Sequence, residues 1–322
     1  MLGSGIYTRQ MYETKILSRP LDNNSSGSRL SSTSLRVSAA ALPTTVSPLH
    51  GLKVAAAAGL LAATLQWLLS SALARRVIGR AGSPTASTKE NAAYTAHSVV
   101  ALILMLLLSG MGSLGWWFTH APANKILDVS PTGGWMAAVV LGAFLLWDIP
   151  TSIRVKALRK PDVIIHHIVM MVLAGIATSI LPMHYIFYYF GVVELSSVPL
   201  IIYDQVTFWI DTTNDDNGNT TGKVERLTRI QSILAPITAL SFALVRVVSF
   251  TKVTVEGFLP DAKAALVAAA NKSRIITPPQ RIGIQFLMVA CTLFTLLQWF
   301  WFSQIVQAFR EQMASSQSSS PS

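Results

Sequence analysis

Charged residues are scarce in this chain, at 12% Asp, Glu, Lys and Arg, against roughly 25% in a soluble globular domain. That shortage excludes a solvated two-domain enzyme, a coiled coil and a disordered scaffold for its 322 residues. Cysteine is scarcer still. Cys291 stands alone in an apolar run, which excludes a disulfide framework and a cysteine-based metal site and says nothing about redox compartment. There is no glycine-rich phosphate loop followed by lysine, no Gly-x-Ser-x-Gly and no His-Glu-x-x-His. Residues 1–50 lack the 7–15-residue apolar stretch of a cleavable signal peptide.

Hydrophobicity is what the chain has in quantity. It is 51% hydrophobic with a mean hydropathy of +0.48, the composition of a polytopic membrane protein. The expected fold is all-α, a transmembrane helix bundle of about seven spans, within a range of six to eight. The net charge of +10 raises nucleic acid as a partner. In a membrane protein the same excess more often decorates cytoplasmic loops, so no nucleic-acid partner is expected.

Seven apolar stretches approach the roughly 20 residues that cross a hydrocarbon core, near 54–74, 96–118, 135–153, 163–181, 183–203, 229–250 and 283–305. Pro182 suggests a tight reversal between the fourth and fifth. Trp116, Trp117, Trp135, Tyr203, Trp299 and Trp301 fall near span ends, where amphipathic rings favour the interface. The loops 75–95 and 154–162 carry four basic residues each, whereas the short loops opposite hold only Lys125. This bias puts the N-terminus on the lumenal or exterior side and the C-terminus in the cytosol. The sequons at Asn23, Asn24 and Asn271 are then lumenal and Asn219 cytosolic. The Ser-, Thr- and Asn-rich residues 1–50 read as a disordered arm, 51–87 as a first helix with a basic loop, and 311–322 as a disordered tail. The 204–228 segment reads as a solvated linker, and residues 261–270 as a short helix.

Ionisable groups inside spans cost roughly 2.5–3.5 kcal/mol on insertion scales, so each needs a reason. His97 begins span 2, Asp148 ends span 3, His166-His167 begins span 4, and Glu194 lies about two-thirds along span 5. All four places fall toward the cytosolic side of the inferred topology. Adjacent histidines on a helix are splayed by about 100°, whereas metal-binding helices use i, i+3 or i, i+4 spacing; no metal is expected. One imidazole can instead serve as base or nucleophile while a carboxylate orients it, with His166, His167 and Asp148 as candidate catalytic residues. A lipid hydroxyl or amine would meet it at the interface, with acyl-CoA supplied from the cytosol and no resident cofactor. The alternative is that these groups tie helices together by hydrogen bonds of about 0.6–2 kcal/mol each. Arg246 is read near the opposite end of span 6, snorkelling outward. Gln66, Gln285 and Gln298 read as interhelical glue, and Gly110, Gly112 and Gly115 as a close-packing face in span 2.

Trp147-Asp148, His166-His167 and Glu194-Leu195-Ser196-Ser197-x-Pro199, in that order, resemble the TLC-domain family of multi-pass membrane proteins. Asn91 to His97-Ser98 and the late-span Arg246 also look like family counterparts. The similarity covers roughly residues 88–305, and the domain is drawn as 88–310. The family includes ceramide synthases, which transfer a fatty acyl group from acyl-CoA to a sphingoid base, and members linked to membrane-lipid homeostasis. The synthase motif pairs His-His with a later His-Asp. Here that second position reads Val192-Val193-Glu194-Leu195-Ser196-Ser197, which resembles the TLC-domain-containing subgroup assigned to lipid sensing, synthesis or trafficking. The resemblance implies membrane lipids as partners, with His97, Glu194, Ser196, Ser197 and Arg246 as candidate substrate-binding residues. It implies residence in the endoplasmic reticulum and leaves a homo-oligomer open. Three functions follow: a lipid-binding homeostasis protein, a divergent N-acyltransferase, and a transporter. The third ordinarily brings repeats and helices broken at mid-membrane, neither of which is visible in this sequence.

Overall fold

The computed structural model describes residues 48–81, 86–216 and 221–318. Nearly all of the polar N-terminal arm, with Asn23 and Asn24, lies outside the described residues, as do Asn219 and the last four residues of the tail. Every regular element among the described residues is helical. Among the described residues seven helices are long and apolar enough to cross a membrane: Leu49–Arg76, Thr88–Phe118, Pro131–Arg154, Pro161–Ser179, Ile186–Thr212, Gly222–Ala270 and Pro278–Gln307, here spans 1 to 7. The protein is an all-α polytopic helix bundle.

Proline marks several of the starts, because the first turn of a helix has no use for the missing N–H. Pro131 opens span 3 behind the N-cap Ser130, whose hydroxyl accepts from the Gly133 N–H at 3.2 Å. Pro161 opens span 4. Span 7 begins with Thr277-Pro278-Pro279-Gln280, a capping box in which Gln280 Oε1 accepts from the Thr277 N–H at 3.1 Å.

Glycines set how closely the spans approach. A Cβ on Gly112 would fall 2.3 Å from the Gly191 Cα, and one on Gly115 would fall 2.2 Å from the Phe187 ring. Two of the three span-2 glycines therefore seat span 5, as expected; Gly110 faces open space. Span 1 meets span 3 as tightly, since a Cβ on Gly142 would lie 1.7 Å from the Ala55 carbonyl oxygen.

Several boundaries differ from the sequence reading. The acidic, Asn-rich Asp211–Asp216 is the end of a helix, Ser197–Asp216, and most of the basic 75–95 segment is also helical. The final helix runs on to Ser318. Residues 259–270 are helical as expected, but as the end of one 49-residue span rather than a separate piece. At 1.5 Å per residue that span is about 70 Å long, over twice the hydrocarbon thickness. Its far end packs Phe258 against Tyr185 and Tyr189, and Asp261 accepts a 2.7 Å hydrogen bond from the Tyr185 hydroxyl.

Span 5, unbroken in the sequence reading, is interrupted. A short helix Ile186–Tyr189 ends, Gly191 takes φ −129° and ψ −73°, and a 3-10 turn Val192–Ser196 precedes the long helix. Span 3 carries a π-helical turn at Phe144–Asp148, and span 6 carries two, at Phe242–Ser249 and Val253–Phe258. Such turns concentrate at functional sites. Asp148, Glu194 and Arg246 all lie in these irregular stretches.

Candidate functional site

Asp148 ends the π-helical turn of span 3, just before Pro150 starts a new helical turn. It is 5% exposed and sits between two imidazoles. His97 of span 2 brings its Nε2 to 2.9 Å from Oδ1, a buried charge-assisted bond. His167 of span 4 lays its Nδ1 against Oδ2 in a close polar contact, off the line of a hydrogen bond. One carboxylate thus joins spans 2, 3 and 4. His166, the neighbour, turns elsewhere: its ring is 5.7 Å from that of His167 and packs edge-on against Phe294 and Trp301 of span 7. The splay expected of an adjacent pair is realised, and only His167 reaches the carboxylate. Among the described residues no group of three or more His, Cys, Asp or Glu is placed to hold a metal ion.

A second polar cluster forms where span 5 unwinds. Arg246 Nε donates to Ser196 Oγ at 2.8 Å and Nη2 to Ser197 Oγ at 2.7 Å, while Nη2 lies 3.4 Å from Glu194 Oε2. The two hydroxyls pass the chain of bonds on, Ser197 to Glu194 Oε2 at 2.6 Å and Ser196 to the Val193 carbonyl at 2.8 Å. Broken helix geometry makes this possible. The 3-10 turn gathers Glu194, Ser196 and Ser197 around one guanidinium. Arg246 does not snorkel outward, a correction to the sequence reading. That reading ended span 6 near 250, whereas the helix runs on to Ala270 and leaves Arg246 at its midpoint.

Both clusters line one cavity of about 840 Å3, with His97, Asp148, His166, His167, Glu194, Ser197 and Arg246 in its wall. Ser196 is fully buried behind them, acting through Arg246. The remaining wall is mainly apolar, including Leu104, Met105, Leu108, Val140 and Ile305. Exposed Lys160, Asp162 and Asp204 lie along it as well. Past His166, Glu194 and Arg246, a slot of about 40 Å3 continues between Leu173, Ile186, Phe250 and Leu287. The eight candidate residues, drawn from five separate spans, therefore make one site: a polar wall inside a chamber otherwise suited to hydrocarbon.

A model of the TLC domain matches residues 88–307, more than half of the chain. The protein belongs to the TLC-domain family. No curated protein and no solved structure matches this TLC-domain protein. Span 1 lies outside the matched residues and still reaches the site. Its Gln66 accepts a hydrogen bond from the Trp147 indole N–H, and that indole stacks on His97 at 5.0 Å. The sequence reading took Gln66 for glue, and it is a bond between helices. What could not be read was its partner, 81 positions away. The lone polar residue on an apolar span was the available signal.

Proposed function

We propose that this TLC-domain protein binds membrane lipid in its central chamber and acts in membrane-lipid homeostasis by lipid binding, sensing or trafficking. The observation that carries this reading is the chamber itself. A volume of 840 Å3 walled by leucine, methionine and valine suits hydrocarbon, and seven polar side chains in the same wall suit a headgroup. The family membership supports a lipid-facing role. Residence in the endoplasmic reticulum, with a lumenal N-terminus and cytosolic C-terminus, fits the family and the basic bias of the short loops.

The Asp148–His167 contact favours a second reading, acyl transfer from acyl-CoA to a long-chain amine. A carboxylate on Nδ1 fixes the ring and leaves Nε2 free as base or nucleophile. Glu194 in place of the synthase His-Asp weighs against it. The test supplies acyl-CoA and a labelled sphingoid base to membranes holding the wild type or a His166→Ala/His167→Ala variant of equal abundance. The lipid-binding reading expects no product above empty membranes from either protein. A product lost only in the variant would make this an N-acyltransferase.

A further inference from the structure

The inner slot holds two buried polar atoms with nothing to bond. Gln298 is 2% exposed with its Oε1 buried and unpartnered, and His166 Nδ1 is in the same condition. Both residues line the slot. The other polar groups there are engaged: the Tyr189 hydroxyl with Thr254 Oγ1 at 3.0 Å, and Arg246 with Ser196, Ser197 and Glu194. A buried polar atom left unpaired costs roughly 1–3 kcal/mol. Two of them beside one void point to a group that enters and satisfies both. The slot's 40 Å3 compares with roughly 10–15 Å3 needed for one water, so a hydroxyl and adjoining methylenes have room.

We propose that this slot is a subsite for a hydroxyl group of a long-chain lipid, which bridges His166 Nδ1 and Gln298 Oε1 while the rest of the molecule occupies the outer chamber. A hydroxyl suits the pair because it donates its one proton to Gln298 Oε1 and accepts from His166 in the Nδ1–H tautomer. A carboxylate only accepts, and would face the Gln298 carbonyl oxygen unpaired. An ammonium only donates, and would bring a second positive charge beside Arg246 into a largely apolar slot. The outer chamber gives access, because His166, Met170, Phe190, Glu194 and Arg246 line both spaces. The inference rests on the lipid-binding reading and adds the chemistry of the ligand's buried polar group.

The test uses the full chain in nanodiscs and radiolabelled hexadecanol against hexadecyl methyl ether, which has the same chain without the donor; empty nanodiscs set the background. The wild type is expected to bind the alcohol about five- to tenfold more tightly than the ether, the yield of one or two buried hydrogen bonds. Gln298→Met, similar in shape and wholly apolar, is expected to remove most of that preference, and His166→Phe part of it. Equal affinity of the wild type for both probes would overturn the subsite and leave the slot to water. A preference that survives in Gln298→Met would overturn the assignment to this residue. Failure of both probes to bind above background would overturn the lipid-binding reading as well, which separates the two claims.

Discussion

At the residue scale, the Arg246–Glu194 pair is the most exposed to test. Two charges in the middle of an apolar bundle are tolerable only because Ser196 and Ser197 complete the hydrogen bonding. Arg246→Met alone strands Glu194 in the chamber wall and is expected to cost about 3–5 kcal/mol. In the double variant Glu194→Gln/Arg246→Met, much of that loss should return, read as thermal midpoints in detergent. Additive losses would show that the pair is not coupled. His184 offers a second test, outside the spans. It is buried in the turn before span 5, stacked on Trp116, and burial followed by the Lys125 charge holds its imidazole below the ordinary range. Protonation therefore favours the unfolded chain. The stability linked to His184 is complete above the unfolded value, about 6.5, and declines as pH falls below it. A His184→Gln variant should show a shallower loss of thermal midpoint between pH 7.5 and 5.5 than the wild type.

At the element scale, backbone proximity decides what the spans can do. Gly→Ala in a helix ordinarily gains roughly 0.5–1 kcal/mol. At Gly110, which faces open space, Gly110→Ala should be neutral or slightly stabilising. At Gly112 the added methyl would meet the Gly191 Cα and the Phe187 carbonyl oxygen, at 2.3 and 2.6 Å. Gly112→Ala should force spans 2 and 5 apart and lower the thermal midpoint by several degrees. Span positions were legible from hydropathy, because a long apolar run has one use in a chain this poor in charge. The unwinding of span 5 was not. Phe190 to Ser196 carries no proline or other helix-stopping signal beyond Gly191, and the glycine-to-glycine packing and the Arg246 bonds at the turn join residues distant in sequence. The length of span 6 was equally hidden, since Lys252, Glu256, Asp261 and Lys263 set residues 261–270 apart as a separate short helix until Phe258, Ala262 and Ala265 are seen buried.

At the scale of the whole molecule, the sequence placed His97, Asp148, His166-His167 and Glu194 toward one leaflet, and the structure lines one chamber with them. Pairing was beyond reach, because hydropathy locates a residue along the membrane normal but not around a helix axis. Which histidine meets Asp148, and that Arg246 belongs with Glu194, depends on helix rotation set by side-chain packing. The proposed lipid occupancy of this chamber is open to test in the membrane itself. The most direct measurement is photo-crosslinking in native membranes with a diazirine-bearing long-chain lipid, the labelled residues being read by mass spectrometry. Labels are expected on chamber residues such as Met105, Met170 and Ile305, and they should weaken in Ala101→Trp, which narrows the chamber from its wall. Labels confined to outward residues such as Leu60, Trp67 and Leu240, unchanged by Ala101→Trp, would show that lipid stays outside the chamber.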